Sequence, residues 1–86
     1  MVKRLVEMHS NLDMDARPIA HLVQEASQYS SQVYIEMENK KINAKSLIGM
    51  MSLSMKLGKG VSLTVVADGS DEEAAVSGVE TFLQSS

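Results

Sequence analysis

Two stretches of this chain alternate apolar and polar residues. Val33, Ile35 and Met37 are separated by Tyr34 and Glu36, and Val61, Leu63, Val65 and Ala67 follow the same rhythm with Ser62 and Thr64 between them. A period of two turns one side of each strand to a core and the other to water. Elsewhere the period lengthens to three and four: Ile19, Leu22, Val23 and Ala26 form the stripe of an amphipathic helix. Half-buried strands interleaved with one-sided helices fit few architectures. The pattern predicts an α+β fold, an antiparallel sheet with helices covering one face.

The remaining elements fill in the order. Val2–Met8 reads as a strand through Val2, Val6 and Met8, with Arg4 interrupting. The polar loop Asn11–Asp15 ends on Asp15, a good helix N-cap, and Pro18 falls in the first turn of a helix reaching about Ser27. Glu38-Asn39-Lys40 makes a turn and Lys41-Ile42-Asn43 returns as a short strand. Ser46 caps a second helix from Leu47 to about Leu53, and Gly58-Lys59-Gly60 turns into the strand Val61–Ala67. Ser70-Asp71-Glu72-Glu73 is a capping-box pattern for a third helix that buries Ala75, Val79, Phe82 and Leu83 and ends near Gln84. The expected order is βαββαβα in a single domain, residues 1–86.

Composition narrows the function. The chain has 86 residues, no Cys and no Trp, so a disulfide scaffold, a thiol nucleophile and a zinc ribbon are excluded. His9 and His21 lack metal-ligand spacing, and Gly49, Gly58, Gly60, Gly69 and Gly78 match no phosphate-binding loop. No cofactor or metal site is expected. The formal charge of −3 argues against a general nucleic-acid binder. No window approaches the roughly 18 apolar residues of a membrane span, and the N-terminus has no signal-peptide pattern, so the expected location is the cytoplasm.

Charge is unevenly spread. Residues 40–59 carry Lys40, Lys41, Lys45, Lys56 and Lys59 without an acid, and residues 68–86 carry Asp68, Asp71, Glu72, Glu73 and Glu80 without a base. These stretches are solvated faces, or the basic one favours an anion. The second helix is apolar on nearly all sides: Leu47, Met50 and Leu53 share the spacing of a buried stripe, which leaves Ile48 and Met51 at the surface as a contact patch unless loops cover them. Ser46, between Lys45 and this helix, is a plain capping serine or a phosphorylation site. A phosphate there would meet free N–H groups and the positive end of the helix dipole.

Met14-Asp15-Ala16-Arg17-Pro18-Ile19-Ala20 resembles the active-site motif of HPr, the histidine-containing phosphocarrier family of the bacterial sugar phosphotransferase system. Asn43-Ala44-Lys45-Ser46-Leu47-Ile48-Gly49-Met50-Met51-Ser52-Leu53 resembles the regulatory-serine segment of that family in Gram-positive bacteria. The resemblance implies an open-faced β-sandwich, four antiparallel strands with three helices on one side. It departs from the family where the phosphate-carrying histidine would stand, which here is Asp15, and at Asp13, where a glycine is usual. Arg17, at the position that in the family helps hold the phosphate, remains, so the resemblance implies a degenerate phosphocarrier site at Asp15 and Arg17. Two carboxylates oppose an incoming phosphoryl group, so ordinary phosphocarrier activity is not expected.

A histidine-lacking subgroup, the catabolite-repression HPr-like proteins, shares this pattern. Membership implies phosphorylation of Ser46 by HPr kinase/phosphorylase, and a corepressor role with catabolite control protein A, a LacI-type transcription regulator. It implies partner contacts at Met14, Arg17, Ala20, Leu47, Ile48 and Met51, with no direct nucleic-acid contact and no enzymatic activity. Ile48 stands where the family often has Met. Exchange of the first strand between two copies is within the subgroup's range. The alternatives are a divergent phosphocarrier forming an acyl phosphate on Asp15, an adaptor whose Asp15 mimics a charged site for a metabolic enzyme, and an HPr-like protein of another pathway untouched by the kinase.

Overall fold

The structure, a computed structural model, describes residues 1–8, 16–54 and 60–85, and the side chains of all of these except 16–18, 53, 54 and 85. Seven elements follow one another: β1 (Val2–Glu7), α1 (Ala16–Ser27), β2 (Gln32–Met37), β3 (Lys40–Asn43), α2 (Leu47–Ser54), β4 (Ser62–Asp68) and α3 (Glu72–Ser85). The strands form one sheet in the order β1-β4-β2-β3, and every neighbouring pair is antiparallel. β1 and β2 therefore run the same way with β4 between them, a split βαβ arrangement.

The three helices lie on one face, as the half-apolar strands require. Val6, Val33, Ile35, Leu63, Val65 and Ala67 from the sheet join Ile19, Leu22 and Ala26 of α1, Met50 of α2 and Ala75, Val76, Val79 and Leu83 of α3 in a single buried cluster. The other face is open. Along it, Lys3, Val66, Tyr34 and Asn43 stand side by side across the sheet in register.

Several local expectations change. Arg4 does not interrupt the inner face of β1. Its guanidinium reaches α3, where Nη1 donates to Glu80 Oε1 at 2.7 Å and to Ser77 Oγ at 3.4 Å. Lys40 opens β3 opposite Met37, so the β2–β3 turn has two residues, Glu38 and Asn39, at φ 51° and 65°. Positive φ at both positions is the conformation that matches strand twist in a two-residue hairpin. Ser70 is not the cap of α3. The Ala75 N–H donates to the Asp71 carbonyl at 2.9 Å, so the helix begins one residue later than the Ser70 pattern suggests. The Asp71 carboxylate is drawn away to the start of β2, where it accepts from the Ser30 and Ser31 N–H groups at 2.9 Å each and from the Ser31 hydroxyl. The reciprocal carboxylate is then Glu72, which accepts from the Gly69 N–H at 3.2 Å. Gly69 allows this closure: a Cβ there would lie 2.5 Å from Ser31 Oγ and 2.6 Å from Ser31 Cα. The predicted loop Asn11–Asp15, its cap Asp15 and the Gly58-Lys59 part of the next turn lie outside the described residues.

Candidate functional site

The second helix and the residues leading into it form the site. Asn43 ends β3 and turns the chain with its side chain, its Oδ1 accepting the Lys45 N–H at 2.9 Å, an Asx turn. The Asn43 carbonyl accepts the Ser46 N–H at 3.0 Å. Ala44 is fully buried, and its N–H donates to the Val33 carbonyl at 2.8 Å, which fixes the approach to the sheet. Ser46 then caps α2. Its carbonyl accepts the Met50 N–H at 2.9 Å, and its Oγ accepts the Gly49 N–H at 3.2 Å. This is the N-cap geometry in which a hydroxyl satisfies one of the orphan donors of the first turn.

Gly49 keeps that cap open. A Cβ at this position would stand 3.2 Å from the Ile42 methyl Cγ2 and 3.4 Å from Ser46 Oγ. A larger side chain would crowd both the packing of α2 on β3 and the serine oxygen.

Met50 is the inward anchor of α2 and is completely buried. Leu47 does not share its side, contrary to the Leu47-Met50-Leu53 stripe. Leu47 is 44% exposed, Ile48 84% and Met51 44%. At spacings of one, three and four residues these three lie on one outward face. The correction has a simple cause: α2 packs against α1 and β3 at the margin of the sheet, so only a narrow strip of it is covered. The Leu53 side chain is outside the described residues.

The basic stretch is divided among separate partners. Lys45 Nζ donates to the Tyr29 carbonyl beyond the end of α1 at 2.7 Å. Lys41 Nζ lies 4.4 Å from the centroid of the Tyr34 ring on the open face, a cation–π contact. Lys40 is exposed beside the hairpin. Among the described residues, the positive charge beside Ser46 comes from the amide groups of the first turn of α2 and from a lysine tied to a neighbouring loop; Lys56 and Lys59 of the same stretch lie outside the described residues. Sequence reasoning counted Lys45 in the basic stretch and Asn43 in the strand, but not their bonds to the Tyr29 carbonyl and the Lys45 amide. An Asn two positions before Lys45-Ser46 was the available signal for the turn.

Of the other candidate residues, Ala20 sits half-buried on α1, which packs on α2. Arg17 lies in the first turn of α1. Its side chain, and the whole of Asp13, Met14 and Asp15, lie outside the described residues. His21 is exposed. Among the described residues no group of His, Cys, Asp and Glu could hold a metal ion, and no helix is long and apolar enough to cross a membrane. Among the described residues the perturbed ionisations lie away from α2. Hydrogen bonding to Glu25 holds the Tyr29 hydroxyl above its ordinary range, and the Ser31 hydroxyl and the Ser30 N–H hold the Asp71 carboxyl below its own.

A one-sided sandwich that displays an apolar helix behind a capping serine has the surface of an interaction module. Comparisons with known proteins give its family. A family model described as the PTS HPr component phosphorylation site matches residues 2–85. HPr-like protein Crh of Halalkalibacterium halodurans is 39% identical over 84 residues, 98% of each chain. Crh of Bacillus subtilis is 40% identical over 98% of this chain and 96% of its own. Among solved structures, the phosphocarrier protein HPr of Bacillus anthracis superposes with a TM-score of 0.86 at 36% identity, covering 96% of both chains. Crh of Bacillus subtilis, described as a swapped, intertwined dimer, superposes at 0.72 with 37% identity over 99% of this chain and 95% of that one. The chain belongs to the HPr family, and it is homologous to the HPr-like protein Crh.

Proposed function

We propose that this protein is a cytoplasmic, non-enzymatic regulator whose switch is Ser46. HPr kinase/phosphorylase transfers a phosphoryl group to Ser46 Oγ. The phosphorylated protein then acts as corepressor of a LacI-type transcription regulator, catabolite control protein A, in carbon catabolite repression. The observation that carries this reading is the exposure of Leu47, Ile48 and Met51 directly behind the serine that caps their helix. A phosphate at this N-cap adds about two negative charges where the helix dipole favours them. It does so beside an apolar surface that has no reason to face water in a free domain. Arg17 and Ala20 of α1, together with Met14 just before it in the sequence, extend the contact.

Asp15 in place of the family's histidine argues against a sugar phosphocarrier, because a carboxylate cannot form the phosphoramidate that the relay passes on. The reading includes a homodimer formed by exchange of β1. β1 is an edge strand of the sheet whose strand neighbour is β4, and the Crh structure of Bacillus subtilis is described as swapped.

Kinase treatment followed by intact-mass analysis tests the first step. A single phosphate should be added to the wild type and none to Ser46→Ala; addition to both, or to neither, refutes it. Calorimetry with the regulator tests the second, and equal affinity of the phosphorylated and unmodified protein would exclude a corepressor.

A further inference from the structure

Met50 and Met51 are neighbours in sequence and opposites in the fold. Met50 is 0% exposed and Met51 is 44% exposed. The contrast has chemical weight because the chain has no cysteine to intercept an oxidant. Thioethers are then its most readily oxidised side chains, and susceptibility follows exposure of the sulfur to solvent. Seven methionines share that chemistry, yet the fold withholds Met8 (1% exposed) and Met50 from solvent. Met1, 65% exposed, lies at the start of β1 beside α3, where its amino group pairs with Glu72 at 3.1 Å. Met37 is partly buried against the core, and Met14 and Met55 lie outside the described residues. Among the described methionines Met51 is the exposed one that shares a helix face with Leu47 and Ile48.

We infer that Met51 is a redox-sensitive modification site, oxidised by peroxides to the sulfoxide, which switches the apolar face of α2 to a polar one. In this step the Met51 sulfur attacks one peroxide oxygen. With hydrogen peroxide the O–O bond breaks and an S–O bond forms, the proton of the attacked oxygen passes to the second oxygen, which leaves as water, and the sulfur is oxidised by two electrons as the peroxide is reduced. The sulfoxide is reversible by methionine sulfoxide reductases. Its oxygen is a strong acceptor, and burying it under a partner without a donor opposes docking. The effect on docking rests on the reading of α2 as a partner surface; the oxidation itself does not.

Hydrogen peroxide is applied to the whole protein in a time course and sulfoxides are located by peptide mapping. Met51 sulfoxide should accumulate at least about tenfold faster than the sulfoxides of Met50 and Met8. Equal rates at Met50 and Met51 in protein that keeps its native circular dichroism would overturn the assignment. Retention on a hydrophobic-interaction column reads the face without any partner. It should shorten after oxidation of the wild type and shorten less in Met51→Leu; the same shift in both places the change elsewhere and refutes the switch. Regulator affinity is then measured for phosphorylated protein before and after peroxide, as a ratio for each variant. The wild type should lose roughly tenfold and Met51→Leu markedly less. A wild-type ratio of one with Met51 fully oxidised overturns the docking effect. Untreated phosphorylated protein that fails to bind refutes the corepressor reading and leaves the mapping and retention results to decide the modification.

Discussion

Replacing Ser46 by alanine removes one atom with a defined task. Its Oγ accepts the Gly49 N–H at 3.2 Å, while the bonds of its backbone to Asn43 and Met50 survive the substitution. The Gly49 N–H then has only water to turn to. Loss of a serine N-cap costs about 1 kcal/mol, and in a domain of this size that lowers the melting temperature by roughly 4–8 °C. Ser46→Asp keeps an acceptor and adds a negative charge at the positive end of α2, a gain of about 0.3–1 kcal/mol. It should melt at or above the wild type. Ser52→Ala is the control: the Ser52 hydroxyl donates to the Gly49 carbonyl at 3.0 Å on the exposed side of the same helix, and its loss should stay within about 0.5 kcal/mol. Thermal melts by circular dichroism read all three. Backbone amide shifts of Ser46→Asp should change over residues 43–50 and near Tyr29 and be flat across β1 and β4. A Ser46→Ala protein as stable as the wild type, with Ser46→Asp no better, would refute both the cap and the claim that this helix end favours an anion.

Burial separates the adjacent methionines in stability as well: Met50→Ala should cost about 2–5 kcal/mol in urea denaturation and Met51→Ala about 0.5 kcal/mol or less. Gly78→Ala should destabilise in spite of a better helix former, because the new Cβ would run into Tyr29 Oη and meet Glu25 Oε2 at 2.8 Å. Tyr29→Phe should relieve it, with a coupling of about 0.5–3 kcal/mol in a double-mutant cycle; additive effects would refute the contact. Asp71 has a folded pKa below its ordinary value, first through the Ser31 hydroxyl and then the Ser30 N–H. Its contribution is therefore full above the unfolded carboxylate pKa of about 3.9 and is lost as pH falls through the lower folded value. Melting temperature against pH should show a shallower acid limb for Asp71→Asn, and an unchanged limb would refute the role.

Much of this was legible because hydrophobic period is a local property. The alternation in β2 and β4 and the stripe of α1 directly named their buried sides, and the one-faced sheet followed. What escaped depends on how elements meet. Arg4 looked like an interruption because only the placement of α3 supplies Glu80. Ser70 looked like a cap because only the return of the chain beside β2 draws Asp71 across to Ser30 and Ser31. Val66 is buried on the open face, where period two predicts exposure, because Lys3 and Tyr34 flank it in the sheet. In the site, a helix apolar all round does not declare which side is covered. The resemblance to the family placed Leu47 on the outward face, while the stripe argument placed it inside. The position of α2 at the sheet margin decided for the former.

The entry into α2 has a consequence for signalling. Asn43 already holds the Lys45 amide, Lys45 already holds the Tyr29 carbonyl, and Ser46 already holds the Gly49 amide. The surface is pre-organised, so a partner pays little conformational entropy to engage it. Among the described residues, a charge placed on Ser46 meets a helix end that these bonds already hold. In the proposed function a partner would tell the two forms apart by a difference in electrostatic free energy, and the message would be carried as charge rather than as shape.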